Sequence, residues 1–178
     1  MIKIISPSFI VLASFVLSCA TNAQTYEKVK TTDHWEAHKS RSGKGRFCFV
    51  GSEPIEKKGA YKRRDKTYVL VTHRPNDKKN KVDIFELVAG YTYKKDSSVT
   101  IKIGRQKFEL FTSGGTAWAK TSKTDQALAR AMKRGNTMTV AGTSSRGTKT
   151  LDTYSLKGFT AAYNAIGTKC EKNRGFPV

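Results

Sequence analysis

From Trp35 onward the apolar residues of this chain come in short runs, many of them alternating with polar positions and each closed by glycine, proline or charged pairs. The clearest alternation is at Val99, Ile101 and Ile103, which share one face of a strand while Thr100 and Lys102 take the other. Gly104-Arg105 then predicts a tight hairpin turn, with Phe108, Leu110 and Thr112 on the return strand. Arg46 to Ser52 alternates through Phe47, Phe49 and Gly51 against Cys48 and Val50, and stops at Glu53-Pro54, because proline cannot donate to a ladder. Thr67 to His73 is dense in apolar residues at Tyr68 to Val71 and ends before Arg74-Pro75. Val82 to Ala89 reads as another strand, and after Gly90 come Tyr91-Thr92-Tyr93 and a Lys94-Lys95 turn. Thr116 to Ala119, with Trp118, follows Gly114-Gly115, while Thr137 to Gly142 and Thr150 to Leu156 flank a Ser144-Ser145-Arg146-Gly147 turn. Trp35 to Lys39 is expected as an edge strand, preceded at residues 24–34 by a polar, flexible lead-in.

Two segments change period. Thr124 to Arg134 opens on a Thr-Asp pair suited to capping, carries Ala127, Leu128, Ala131 and Met132, and has Lys133-Arg134 in its last turn before Gly135. In Phe159 to Gly167, Phe159, Ala162, Tyr163 and Ile166 fall at i, i+3, i+4 and i+7, one apolar stripe of a C-terminal helix. Short strands with two short helices predict a mainly β fold, a β-sandwich or related β-rich domain, as a single unit over residues 35–178. Trp35, Trp118, Phe159 and Tyr163 are expected in its core rather than on a binding platform.

The first 23 residues stand outside that pattern. Lys3 is followed by the apolar run Phe9 to Leu17, then by small and polar residues up to Ala23, with Thr21 two places before it. This is the layout of a secretory signal peptide, and the run is short for a transmembrane helix. Val16-Leu17-Ser18-Cys19 offers a competing reading, a lipid anchor on Cys19, although Leu17 occupies a place that usually holds a small residue. With residues 1–23 removed, Cys48 and Cys170 remain, an even pair for an oxidising compartment, and a disulfide between them is expected. Zinc is not expected, since there is no CxxC and the histidines are scattered.

Charge alters the picture most. The chain has 33 Lys+Arg against 14 Asp+Glu, a net +19, of which Lys3 contributes the one charge lost with the leader. A field of that density attracts polyanions over a Debye length, about 8–10 Å at physiological salt. Lys57, Lys58, Lys62, Arg63, Arg64 and Lys66 form one cluster around Tyr61, Lys78, Lys79 and Lys81 a second, and Lys94-Lys95 a third. Loops gathered at one end of a sandwich would converge these cations on phosphates, sulfates or carboxylates. The bland alternative is a solvated cationic surface that maintains solubility. Arg74 and Arg146, each at a turn, either fasten backbone carbonyls or face a ligand. No helix-turn-helix or RNA-recognition signature accompanies the charge, so no specific nucleic acid is expected.

Catalytic patterns are sparse. There is no GxSxG elbow, and no Ser, Thr or Cys with an evident neighbouring base. His34 and His38 are four apart, but they flank Trp35 in an extended segment without HExxH, and are expected to face solvent. Gly142 to Thr150 superficially resembles a phosphate loop, but Thr148 separates Gly147 from Lys149 and the flanks are strands. No cofactor is expected.

Several phrases in order resemble the invasion-associated locus B family of exported bacterial proteins. They are Trp35-Glu36-Ala37, the Cys48 strand ending at Pro54, Val71-Thr72-His73-Arg74-Pro75, Gly90-Tyr91-Thr92-Tyr93-Lys94, Leu110-Phe111-Thr112, Ala117-Trp118-Ala119 and Ala131-Met132-Lys133-Arg134-Gly135. The longest runs from Gly142 through Gly147 to Asp152-Thr153-Tyr154-Ser155-Leu156 and on to Ala162. The resemblance implies an immunoglobulin-like β-sandwich in the periplasm or at the outer-membrane surface. Members in intracellular pathogens are associated with host-cell entry, and no catalytic residues are carried over. His34 stands where the resemblance leads one to expect an acid. The expectation is therefore a non-enzymatic exported protein binding a host-surface or anionic envelope partner through basic loops. The alternatives are a structural or stress-related periplasmic protein and an unrecognised hydrolase.

Overall fold

The computed structural model describes residues 26–40, 47–75 and 82–171. The strands are β1 (Tyr26–Thr32), β2 (Trp35–Ser40), β3 (Cys48–Ser52), β4 (Glu56–Gly59), β5 (Tyr68–His73), β6 (Ile84–Val88), β7 (Ser98–Ile103), β8 (Gln106–Ser113) and β9 (Thr116–Trp118). Helix α1 (Ser122–Arg134) follows, then β10 (Thr137–Thr143), β11 (Lys149–Ser155) and the helix α2 (Phe159–Glu171). All the pairings are antiparallel, in the order β1-β2-β3-β5-β6-β9-β8-β7-β10-β11-β4. The fold is mainly β, as the alternation predicts.

That order forces the sheet to double over. In a flat sheet β3 and β4 would lie about 38 Å apart at ~4.8 Å per strand. Only Glu53, Pro54 and Ile55 join them, a reach of about 14 Å. The sheet therefore curls until its two halves face each other in a sandwich-like arrangement. Bonds across the closure include the Trp35 indole N–H to the Ser155 carbonyl at 2.9 Å and Ile55 N–H to the Thr153 carbonyl at 2.8 Å.

The enclosed faces form the core. Ala37, Val50, Val69, Val71, Phe85 and Leu87 come from one half, and Val99, Ile101, Ile103, Leu110, Met138, Val140 and Tyr154 from the other. Leu128 and Met132 of α1 and Phe159, Ala162 and Ile166 of α2 add to it. The Trp35 and Phe159 rings meet edge-on at 4.8 Å. Cys48 and Cys170 are disulfide-bonded across a separation of 122 residues, with Cα atoms 6.0 Å apart, fastening α2 to β3.

Several local expectations change. Residues 26–32, expected as part of a flexible lead-in, form β1, whose pairing with β2 makes Trp35 to Ser40 an interior strand rather than an edge. β4 carries no apolar signal in the sequence, since all four of its residues are exposed. Tyr91 to Tyr93, between Gly90 and the Lys94-Lys95 turn, contributes a single bridge, Tyr93 to Ser144. Helix α1 begins earlier than Thr124, at Ser122, because the Thr121 hydroxyl caps it by accepting from Thr124 N–H at 3.2 Å. Trp35 and Phe159 are fully buried, but Trp118 is only half-buried and lies beside the exposed Phe111, with ring centroids 5.6 Å apart.

Candidate anion-binding cleft

On β11 the side chains of Thr150, Asp152 and Tyr154 all point inward, so parity alone carries a carboxylate into the interior. A buried carboxylate is costly unless paired. Its partner is Arg64, from the 60–67 linker between β4 and β5. The guanidinium donates from both terminal nitrogens to the two Asp152 oxygens at 2.5 and 2.6 Å, and from Nε to the Ala89 carbonyl at 2.6 Å. It also lies near the rings of Tyr61 and Tyr91, at 5.5 and 4.9 Å from their centroids. Burial works against the Arg64 charge, but the bonds to Asp152 outweigh it and hold the pKa above its ordinary value.

The same linker is locked to the β6–β7 connection at Gly90, where φ is +70°. A Cβ there would meet the Asp65 carbonyl oxygen at 2.3 Å, so only glycine permits the Asp65 N–H bond to the Gly90 carbonyl at 3.0 Å. Opposite stands the Ser144–Gly147 hairpin, closed by Gly147 N–H to the Ser144 carbonyl at 2.8 Å, with Gly147 at φ +83°. Ser145 N–H donates to the Thr92 carbonyl at 2.7 Å, tying this turn to the same connection. The Tyr91 and Thr150 hydroxyls are 2.6 Å apart, and burial raises the Tyr91 pKa.

Between these segments is an open cleft of about 680 Å³. Tyr61, Arg64 and Tyr91 are among its lining residues, and Lys62, Arg63 and Arg146 supply exposed cations from both sides. The Arg63 side chain is 92% exposed and, among the described residues, has one ion-pair contact, with the exposed Asp65 at 4.0 Å. Three of the sequence candidates thus come together, Lys62, Arg63 and Arg64. Arg64 differs from the expectation of a free anion-binding cation, since Asp152 already takes its charge and makes it part of the cleft's framework.

The remaining candidates are spread around this site. Lys57 and Lys58 lie on edge strand β4, with Lys58 paired to Glu56 at 3.0 Å. Lys66 is exposed on the linker outside the cleft. Lys94 and Lys95 follow the bridge at Tyr93, near the hairpin but not lining the cleft, with Lys94 N–H donating to the Thr143 carbonyl at 2.9 Å. Lys78, Lys79 and Lys81 lie outside the described residues. Arg146 joins the cleft because its hairpin folds against Thr92; Tyr61, Tyr91 and Asp152 were not singled out from sequence as site residues. A lone acid at an inward strand position, which Asp152 is, was the usable signal, since it requires a cation from elsewhere.

The histidines are distant from this site. His34 is exposed as expected, whereas His38 is partly buried, stacked on Phe49 at 5.0 Å and bonded to Glu36 at 3.1 Å. His73 is buried beside Asp83 at 3.4 Å. Among the described residues no group of three His, Cys, Asp or Glu is placed to hold a metal ion, and no helix is long and apolar enough to cross a membrane.

Fold and cleft together define a disulfide-bonded, sandwich-like β domain with a basic recess at one end. The sequence model of the family described as "Invasion associated locus B (IalB) protein" matches residues 35–167, most of the chain. The chain belongs to that family. No curated protein and no solved structure matched it.

Proposed function

We propose that this is an exported, non-enzymatic envelope protein of the invasion-associated locus B type, which binds an anionic partner through the cleft between the 60–67 linker and the Ser144–Gly147 hairpin. The observation that carries this reading is the convergence of Lys62, Arg63 and Arg146 on one recess whose framework charge, Arg64, is already neutralised by Asp152. The exposed cations keep their charge for a ligand, while the buried pair holds them in place. In this reading residues 1–23 are the export signal and the domain works in the periplasm or at the outer surface, where the partner is a constituent of the envelope or of a host cell.

Binding to immobilised dextran sulfate tests the cleft. Lys62→Ala/Arg63→Ala/Arg146→Ala should weaken binding about tenfold or more, and affinity should fall steeply with salt. Affinity indifferent to both treatments would sink the reading. Protease shaving of intact cells, with mass spectrometry of the mature N-terminus, tests the address. Cleavage on intact cells places the domain outside, protection until the outer membrane is opened places it in the periplasm, and a chain retaining residues 1–23 would contradict export by this signal.

A further inference from the structure

Resting on that anion-binding reading, we infer that the ligand is an acidic saccharide, a sugar chain bearing carboxylate or sulfate groups, seated in the cleft by one or two of its units. A polyphosphate or other simple polyanion would use only the cations, and the cleft offers more than cations. Its volume of about 680 Å³ lies within the range of small-ligand sites, roughly 300–1,000 Å³. The two turns that form one side supply the side chains of Thr92, Ser145 and Thr148, whose hydroxyls bond to no other group among the described residues. Tyr61 and Tyr91 add aromatic surface beside them.

A sugar presents the complement of this lining. Its ring hydroxyls both donate and accept, matching side-chain hydroxyls that do the same. Its C–H faces pack against aromatic surface, and its carboxylate or sulfate meets the arginines, whose planar donor forks suit such groups. The linker and the hairpin are both tied to the β6–β7 connection, at Gly90 and Thr92, so the hydroxyl side and the cationic sides hold a fixed spacing. That is the preorganisation a small ligand requires and a diffuse polyanion does not.

The test compares three probes by calorimetric titration on the mature protein: a chondroitin sulfate tetrasaccharide, a lipopolysaccharide core oligosaccharide and a polyphosphate of similar charge. Two variants separate hydroxyl from charge, Ser145→Ala/Thr148→Val and Arg63→Ala/Arg146→Ala, all four positions lying in exposed or half-exposed turns and linkers. The expected result is that at least one saccharide binds more tightly than polyphosphate and loses fivefold or more in the hydroxyl variant, while polyphosphate loses affinity only in the charge variant. The tetrasaccharide binding more tightly would indicate a host-type glycan, and the core oligosaccharide an envelope source. If polyphosphate binds as well as both saccharides and the hydroxyl variant changes nothing, the saccharide inference is wrong and the anion reading stands. If no probe binds, both fail.

Discussion

Arg64 and Asp152, 88 positions apart, meet through two hydrogen bonds of 2.5 and 2.6 Å with each side chain only 3% exposed. One comes from an irregular linker and the other from an inward position of β11, so the pair joins the linker to the sandwich and sets the back of the cleft. Breaking it from either side leaves a buried charge without its partner.

Removing one member should therefore cost far more than removing both. Arg64→Met or Asp152→Leu alone is expected to destabilise by about 3–5 kcal/mol, while Arg64→Met/Asp152→Leu should recover much of the loss. Urea unfolding of the three variants measures this double-mutant cycle. Equal and additive losses would mean that the two charges do not depend on each other.

The disulfide makes a separate contribution. Closing a loop of 122 residues restricts the unfolded chain, a stabilisation of about 5 kcal/mol in the chain-entropy picture. Cys48→Ala/Cys170→Ala should lower the urea midpoint accordingly, and reductant should shift the parent protein but not the variant. A reductant shift in the variant would place the effect elsewhere.

Asp125 imposes a pH dependence. Its carboxyl is buried on the first turn of α1, where it accepts Phe85 N–H at 2.9 Å, and burial pushes its pKa up to about 6, with Asp83 nearby adding to the effect. A carboxyl whose folded pKa is raised favours the fold when protonated. Its contribution is present below the unfolded value near 4 and is lost as pH rises through about 6. Relative to Asp125→Asn, which is neutral throughout, the parent should lose up to about 3 kcal/mol between pH 4 and 7.5. Melting temperatures of the two proteins across that range give the difference directly; a constant gap would show that Asp125 titrates normally in the fold.

Tyr154 is fully buried with a hydroxyl that has no hydrogen-bond partner among the described residues. Tyr154→Phe keeps the ring and removes that cost, so the variant should be as stable as the parent or about 1 kcal/mol more stable. Thermal unfolding decides it, and a clear loss would reveal a partner for the hydroxyl.

The strands easiest to recognise in the sequence were those whose side chains carried the signal. Val99, Ile101 and Ile103 alternate because one side of β7 faces the core, and Phe159, Ala162 and Ile166 recur at helical spacing because α2 buries one stripe. β1 and β4 escaped because both are edge strands. Their pairing is made by backbone bonds, β1 to the neighbouring β2 and β4 to the distant β11, and Glu56-Lys57-Lys58-Gly59 buries nothing to betray it. In the same way the basic cluster near Tyr61 was visible as charge, but nothing local distinguished Arg64 from Arg63.

The pattern of side chains by itself determined the class of fold, the two helices, the cysteine pair and the family resemblance, because periodicity, turn chemistry and motif order are written locally along the chain. Only the tertiary structure decided which cations share a cleft. The doubling of the sheet brings β11 to the linker, hands Asp152 to Arg64 and leaves Lys62, Arg63 and Arg146 exposed around the recess. That choice depends on contacts between residues some 88 positions apart, and a buried charge takes its partner from space rather than from sequence.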